Sequence, residues 1–190
     1  MSPAQRGIRT LTEAKALSAL ANPYRSRLLD ALKVDGPSTV SALATRTSQA
    51  VGSVSHHLKV LAEAGFVEVV PELAKDKRES WWRLVSKGFR WSTAEFADDP
   101  DAVRAALAAE LLQVRRQYDA AVDWLENSEG TEDWIDAAFA TQQWLSLSPN
   151  QLRALGDDLL ELLERYAALE PDDGPRESIR VFARAFPAQP

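Results

Sequence analysis

The most regular hydrophobic pattern in the first half of the chain lies between residues 51 and 64. Val54, Leu58 and Leu61 are separated by four and then three positions, so they line one face of a predicted helix. The other face carries groups that are small, able to form hydrogen bonds, or cationic: Gly52, Ser53, Ser55, His56 and Lys59. A helix with one packed face and one small, polar, cationic face fits a groove of nucleic acid.

The segments on either side of this helix complete a known supersecondary arrangement. A shorter helix is predicted over residues 40–46, and a tight turn at 47–48 joins the two helices. Downstream, residues 66–71 and 80–85 have the composition of strands and enclose a polar, cationic loop at 74–79. The order helix, turn, helix, hairpin predicts a winged helix-turn-helix, in which this loop is the tip of the wing.

Two further helices are predicted upstream, over residues 11–21 and 23–34. Asn22 is expected to cap the second helix, and Pro23 takes the first helical position, where its missing N–H costs no hydrogen bond. The predicted buried face of that helix, spaced by four, is Tyr24, Leu28 and Leu32.

Heptad spacing dominates the second half of the chain. An acidic start at 98–101 predicts a helix that continues to about residue 126. Its apolar positions alternate by four and three over nearly three heptads, as in a coiled-coil seam: Leu107, Leu111, Val114, Tyr118, Ala121 and Leu125. We expect this seam to form a homodimer interface, with packing inside one chain as the alternative.

The remaining C-terminal residues predict one more helix and two strands. The helix opens with a capping box at 148–151 and carries a second heptad-like stripe to residue 169. Residues 135–147 and 179–186 are expected to hold the strands, paired either within one chain or across a dimer. The aromatic side chains of this half also suit a pocket for a small apolar ligand.

These elements predict a mainly α fold with small β sheets. Its parts are an N-terminal winged helix-turn-helix and a C-terminal α+β dimerisation and effector domain. The expected division is a flexible tail at 1–10, the winged helix at 11–90, a linker at 91–100 and the C-terminal domain at 101–190.

The net charge of −6 conceals two halves of opposite sign. Residues 1–90 hold 14 Lys/Arg and 8 Asp/Glu, a net of +6, whereas residues 91–190 hold 8 and 20, a net of −12. The basic half suits a polyanionic partner. The chain has no cysteine, which excludes disulfides, and no apolar run reaches the roughly 20 residues of a membrane span. We therefore expect a soluble, cytoplasmic protein that does not bind membranes.

Two motifs followed by a hairpin occur in the first half of the chain: residues 20–25, LANPYR, and residues 54–67, VSHHLKVLAEAGFV. Together, at this separation, they resemble the arsenic-repressor (ArsR-type) winged-helix family, and the resemblance extends over about 11–88. It implies a prokaryotic transcription regulator, commonly a repressor. In such proteins the helix at 51–64 is the recognition helix, and a homodimer binds a near-palindromic operator.

The chain departs from the metal-sensing members of that family. Those relatives use cysteine pairs, or Asp and His ligands on a C-terminal helix, whereas this chain has no cysteine and only two histidines. His56 and His57 are adjacent, and neighbouring helical residues point about 100° apart. We therefore expect neither a metal nor another cofactor.

The candidate site follows from these assignments. The candidates for base contacts or close backbone approach are Gln49, Gly52, Ser53, Ser55 and His56. The candidates for contacts with phosphate or the minor groove are Lys59, Lys75, Lys77 and Arg78.

Two other classes of function compete with a DNA-binding regulator. A winged helix can dock an acidic protein partner, but exposed Leu, Phe or Trp on the recognition helix would then be expected. An enzyme is disfavoured because the chain offers no cysteine nucleophile, no Gly-rich phosphate loop and no convincing carboxylate pair. Duplex DNA is therefore the expected partner.

Overall fold

The computed structural model describes residues 7–76, 79–91, 96–128 and 132–189 of the 190-residue chain. The chain divides into two compact units, Met1–Val122 and Asp123–Pro190. No helix in the described part is long and apolar enough to cross a membrane.

The described residues contain seven α-helices, a short 3₁₀ helix at Pro71–Leu73 and five short strands. The helices are α1 Ala14–Leu20, α2 Pro23–Val34, α3 Val40–Thr47, α4 Val51–Glu63, α5 Pro100–Asn127, α6 Glu132–Ala137 and α7 Pro149–Ala167. The strands are β1 Ile8–Thr10, β2 Ser38–Thr39, β3 Val67–Val69, β4 Trp81–Leu84 and β5 Gly88–Arg90. The predicted class, mainly α with small sheets, is confirmed.

Helix ends lie where the capping signals predicted them. The Asn22 side-chain oxygen accepts hydrogen bonds from the backbone N–H groups of Tyr24 and Arg25 at 3.0 and 3.1 Å. Thr39 caps α3 in the same way, and the Ser148 capping box opens α7. These polar groups satisfy backbone donors that have no partner inside the helix.

The wing is a β-hairpin built on the two predicted strands. β3 and β4 pair antiparallel, with Glu68 opposite Arg83 and Val69 opposite Trp82. The other edge of β4 pairs with β2, so the sheet order is β2-β4-β3. The Arg83 guanidinium donates to the Glu68 carboxylate at 2.8 Å, a cross-strand ion pair that supports this register.

A single hydrophobic core holds the first unit together. Leu17, Leu28, Leu43 and the α4 leucines interlock beneath the hairpin, and Phe66 is fully buried with Phe89 packed edge-on against it at 4.5 Å. Each helix of the winged region, α1 to α4, contributes to this core, so the position of each helix depends on the others.

The prediction that residues 1–10 form a flexible tail is wrong for residues 8–10. These residues form β1, which pairs in parallel with β5 in the register Ile8 to Gly88. The Arg9 guanidinium also donates to the Gly65 carbonyl at 2.7 Å. A three-residue strand has no periodicity to detect, and its partner lies some 80 positions away in the chain. Residues 1–6 lie outside the described residues.

The first compact unit extends beyond the linker expected at 91–100. Three alanines on one face of α5 are buried in the core of this unit: Ala102, Ala106 and Ala109. Farther along the helix, the Arg116 guanidinium donates to the Asp30 carboxylate of α2 at 2.5 Å. The first half of α5 is thus packed as part of the winged region, while a separate dimerisation and effector role for 101–190 stays a prediction.

The two strands predicted in the C-terminal half are wrong for the single chain. Residues 135–137 belong to α6, and the described residues 138–147 and 170–189 form neither helix nor strand. Alternation of apolar and polar residues is not sufficient for a strand, because a strand also needs a neighbour that accepts and donates its backbone hydrogen bonds.

Replacement of Gly65 by alanine should destabilise the first unit. Gly65 ends α4 with φ +73°, and a Cβ there would lie 2.6 Å from Arg9 Nη1. We expect Gly65→Ala to lower the free energy of unfolding by about 1–2 kcal/mol, measured by urea denaturation followed by circular dichroism. The matched control is Gly52→Ala inside α4, where no atom lies within 4 Å, and which should raise stability by about 0.5–1 kcal/mol. Equal effects of the two changes would contradict this account of Gly65.

Candidate nucleic-acid interface

The turn between α3 and α4 has a defined backbone geometry. Ser48 adopts the left-handed conformation, with φ 53° and ψ 43°. The backbone N–H of Gln49 donates back to the Ala44 carbonyl at 3.0 Å, and the Thr47 hydroxyl donates to the Leu43 carbonyl at 2.7 Å. Local side-chain and backbone hydrogen bonds therefore set the angle at which α4 leaves α3.

The buried face of α4 determines which residues face solvent. Val54, Leu58 and Leu61 have no accessible surface, as the spacing predicted. On the other side of the helix, four predicted site residues are exposed: Gly52, Ser53, His56 and Lys59. Ser55 lies partly buried at the margin. The structure thus brings the predicted α4 residues to one side of the unit, and their contact with DNA stays a prediction.

Gln49 differs from the α4 candidates in having part of its side chain engaged within the protein. Its Nε2 donates to the Thr47 hydroxyl at 3.0 Å, and the side chain is partly buried. Its Oε1 has no hydrogen-bond partner among the described residues. Because Oε1 is buried, the amide would have to turn before this acceptor could reach a base edge.

The two histidines of α4 have different surroundings. His56 is exposed, whereas His57 is partly buried and stacks on Tyr24, with ring centroids 5.8 Å apart and planes 11° apart. Burial lowers the pKa of His57, and the charges of Arg25 and His56 lower it further. His57 is consequently neutral near pH 7 and connects α4 to α2.

The stack on His57 also corrects the predicted buried face of α2. Leu28 and Leu32 are buried as expected, but Tyr24 is 49% exposed. Spacing places a residue on a helix face, yet it does not show where the neighbouring helix ends. The sequence shows only that Tyr24 and His57 each carry an aromatic ring. Their stacking depends on the packing of α2 against α4.

Two carboxylates in the wing accept hydrogen bonds from its backbone. Lys75 is exposed, and its backbone N–H donates to the Glu79 carboxylate at 3.0 Å, which lowers the pKa of Glu79. Asp76 accepts the backbone N–H of Glu79 at 3.2 Å. These two carboxylates offset part of the positive charge of the wing. Lys77 and Arg78 lie outside the described residues.

One cation that the sequence analysis did not select lies on α3. Arg46 is exposed and its guanidinium contacts the Asp35 carboxylate at 3.0 Å. Because the pair is exposed to solvent, it contributes little to stability. Position in the last turn of a helix gave no sign that distinguished this residue from other surface arginines.

The predicted dimer seam lies on the side of α5 that the core leaves uncovered. Five of its six members are exposed: Leu107, Leu111, Val114, Tyr118 and Leu125. Ala121 is partly buried. The alanine face of the helix already packs in the first unit, so the seam is a second apolar face with no cover from the rest of the described chain.

Residues 20–70 match the family model of a helix-turn-helix domain. None of the curated proteins matches the chain. Similar solved structures include a crystal structure of a possible transcriptional regulatory protein (fragment 1–100) from Mycobacterium bovis. It is 25% identical, with a TM-score of 0.36, over 55% of this chain and 89% of that one.

Two further solved structures are similar at comparable levels. The first is a homodimeric winged helix-turn-helix domain, Mb0332, from Mycobacterium bovis, a possible ArsR-family regulator. It is 26% identical, with a TM-score of 0.35, over 60% of this chain and 81% of that one. The second is NMB1585, a MarR-family regulator from Neisseria meningitidis, at 19% identity and a TM-score of 0.36 over 77% and 79%.

These TM-scores are too low to establish an overall fold, so the assignment rests on the helix-turn-helix match together with the hairpin that follows it. The matched residues include α2, α3, α4 and β3 in the order that the sequence predicted. Residues 20–70 are therefore similar to a helix-turn-helix domain, and in this chain a β-hairpin follows them.

Proposed function

We propose that this protein is a sequence-specific DNA-binding transcriptional regulator, acting as a repressor. The observation that carries the proposal is the exposed face of α4. After the exposed Val51 at the start of the helix, the exposed side chains are small, polar or charged, and every apolar side chain is buried or partly buried. The major groove of DNA is wide enough for a helix, and its base edges are read by hydrogen-bonding groups such as these. A protein groove would call for exposed large apolar anchors instead.

Charge supports DNA as the polyanionic partner. The net charge of +6 over residues 1–90 and of −12 over residues 91–190 would favour approach with the winged region toward phosphate. Lys59 lies on the exposed face of α4, and Lys75 is exposed on the wing. With Lys77 and Arg78 they are the proposed phosphate and minor-groove contacts.

Within α4 the proposed roles differ with exposure. Ser53 and His56 are exposed and are proposed to read base edges, with Ser55 and Gln49 at the margin. Gly52 presents backbone without a side chain, which lets the helix approach DNA closely. Of this set, only the Gln49 side chain forms a hydrogen bond within the described part of the chain that binding would have to break.

We further propose that two copies bind together through the seam on α5. A winged helix alone offers little surface, and a two-fold dimer places two recognition helices on half-sites about 34 Å apart. Burial of the exposed seam residues supplies the apolar contact that such a dimer needs. A small apolar effector bound by the C-terminal residues stays part of this proposal, because regulators of this kind respond to a signal.

A negative charge on the reading face should abolish specific binding. Ser53→Glu places a carboxylate where phosphates and base edges would lie, so we expect an affinity loss on the order of 100-fold. The measurement is a gel-shift titration on DNA fragments recovered with the wild-type protein in genome-wide mapping.

The matched control adds the same charge elsewhere on the first unit. Thr12→Glu changes an exposed residue outside α3 and α4 and should leave affinity unchanged. Thermal melts by circular dichroism should show that both variants fold. Normal operator binding by Ser53→Glu would mean that α4 does not enter the groove.

The lysines should contribute affinity that does not depend on sequence. Removal of one phosphate contact reduces the slope of log affinity against log salt by about 0.9. We therefore expect Lys59→Ala with Lys75→Ala to reduce the slope by nearly two, measured by fluorescence anisotropy with labelled duplex. Arg153→Ala, which removes one cation from α7, is the control and should leave the slope as it is. An unchanged slope in the double variant would exclude both lysines from the interface.

Two carboxylates on the seam should weaken the dimer. Leu111→Asp with Tyr118→Asp would bury two charges at the interface, so the dimer should dissociate at higher protein concentration than the wild type and bind its operator far more weakly. Light scattering at micromolar concentration measures the mass. Gln113→Asp with Asn127→Asp adds the same two charges to exposed positions of α5 off the seam and should leave the dimer intact. A wild-type monomer, or a dimer unaffected by the seam changes, would contradict the proposal.

A further inference from the structure

The second unit contains many large apolar side chains but no hydrophobic core among its described residues. Neither α6 nor α7 has a buried residue, and every buried apolar residue of the described chain lies at or before Ala109. A folded unit of this size normally encloses its apolar side chains. The unit Asp123–Pro190 is therefore incomplete as a single copy.

The exposed side chains are distributed over the whole unit. α7 is strongly amphipathic, yet Leu152, Leu155 and Leu159 are only partly buried. Its later apolar residues and those outside the helix are more open, with Phe139 84% and Ile179 66% exposed. An apolar face that extends along a helix and two flanking segments is larger than an isolated surface patch.

The area involved matches that of a stable dimer. Sixteen large apolar side chains from Trp124 to Phe186 are exposed, on average by about half. At roughly 150–250 Å² for each large side chain, they present on the order of 1,500 Å² per copy. Two copies together would bury on the order of 3,000 Å², which lies in the range of obligate homodimers, about 2,000–5,000 Å².

Two segments of this unit have the pattern of strands without a strand neighbour. Residues 138–147 and 179–186 have neither helix nor strand, although aromatic and β-branched residues recur in both. Ile179 and Val181 alternate with Phe182 and its neighbours, as in a segment that packs on both faces. Pairing between these segments inside one chain is absent from the described residues, which leaves pairing between copies.

Charge is distributed unevenly over the second unit. The unit holds 14 Asp/Glu and 5 Arg, and three of those arginines lie in its last fifteen residues: Arg176, Arg180 and Arg184. Ahead of the 138–147 segment, α6 carries three carboxylates: Glu132, Asp133 and Asp136. An acidic unit would repel its copy less if Arg176 and Arg184 of one copy lay near the carboxylates of α6 of the other, and pairing of 179–186 with 138–147 allows that contact.

We infer that the second unit completes its core with a second copy of this chain, the terminal segment 179–186 of one copy pairing with residues 138–147 of the other. The inference rests on the proposed homodimer and adds a second, C-terminal interface to it. An added strand supplies the backbone hydrogen bonds that both segments lack, and the apolar side chains of α7 are covered in the same step.

The experiment uses the absence of native cysteine from the full-length chain. Ala140→Cys and Ala183→Cys each replace a small exposed side chain, one in each segment. The two single variants are unfolded together, refolded as a mixture and treated with a short bismaleimide. We expect a covalent dimer of twice 21.0 kDa, and mass spectrometry of its proteolytic digest should find a peptide with residue 140 linked to a peptide with residue 183. Ala140→Cys mixed with Ser41→Cys, which lies in α3, is the control and should give no such product.

Three results would overturn the inference. A link within one chain of the double variant Ala140→Cys/Ala183→Cys, together with no dimer from the mixture, would assign the pairing to a single copy. Absence of any link between 140 and 183 in a protein that light scattering shows to be dimeric would leave the α5 seam as the interface. A monomer in light scattering would instead contradict the proposed homodimer itself, so the two failures are distinguishable.

Discussion

The structure of the winged region depends on one packing constraint, the burial of the apolar stripe of α4. With Val54, Leu58 and Leu61 fully enclosed, rotation of the helix about its axis would expose leucine and bury serine or lysine. The core therefore fixes the direction of every polar side chain on the opposite face. Chemistry at the surface of α4 is a consequence of packing beneath it.

Local signals made the winged region predictable from the sequence. The Asn22–Pro23 start acts over a few residues and appears where it was expected, and Thr39 and Gly65 bound α3 and α4 by equally local means. The heptad-like period likewise gave the extent of α5. The face of α4 could be assigned because a period of three to four residues is fixed by helix geometry rather than by distant contacts.

The features that the sequence could not predict depend on distant partners. β1 exists because Ile8–Thr10 meets Gly88–Arg90, and the Tyr24–His57 stack exists because α2 crosses α4. The C-terminal alternation suggested strands, but the single chain provides no neighbour for them. Contacts of the winged residues with DNA and of the seam with a partner are likewise properties of two molecules, so neither sequence period nor burial in one chain determines them.

The packing of α5 against the first unit has a mechanical consequence for the proposed dimer. Ala102, Ala106 and Ala109 share the core of the winged region, and the Arg116–Asp30 ion pair ties the same helix to α2 farther along. These two contacts join α5 to the rest of the first unit, so the part of the seam from Leu107 to Tyr118 is held in place relative to α4. In the proposed dimer, a change of a few degrees in the crossing angle of the two α5 helices would move the two α4 helices by ångströms, away from the spacing of the DNA repeat.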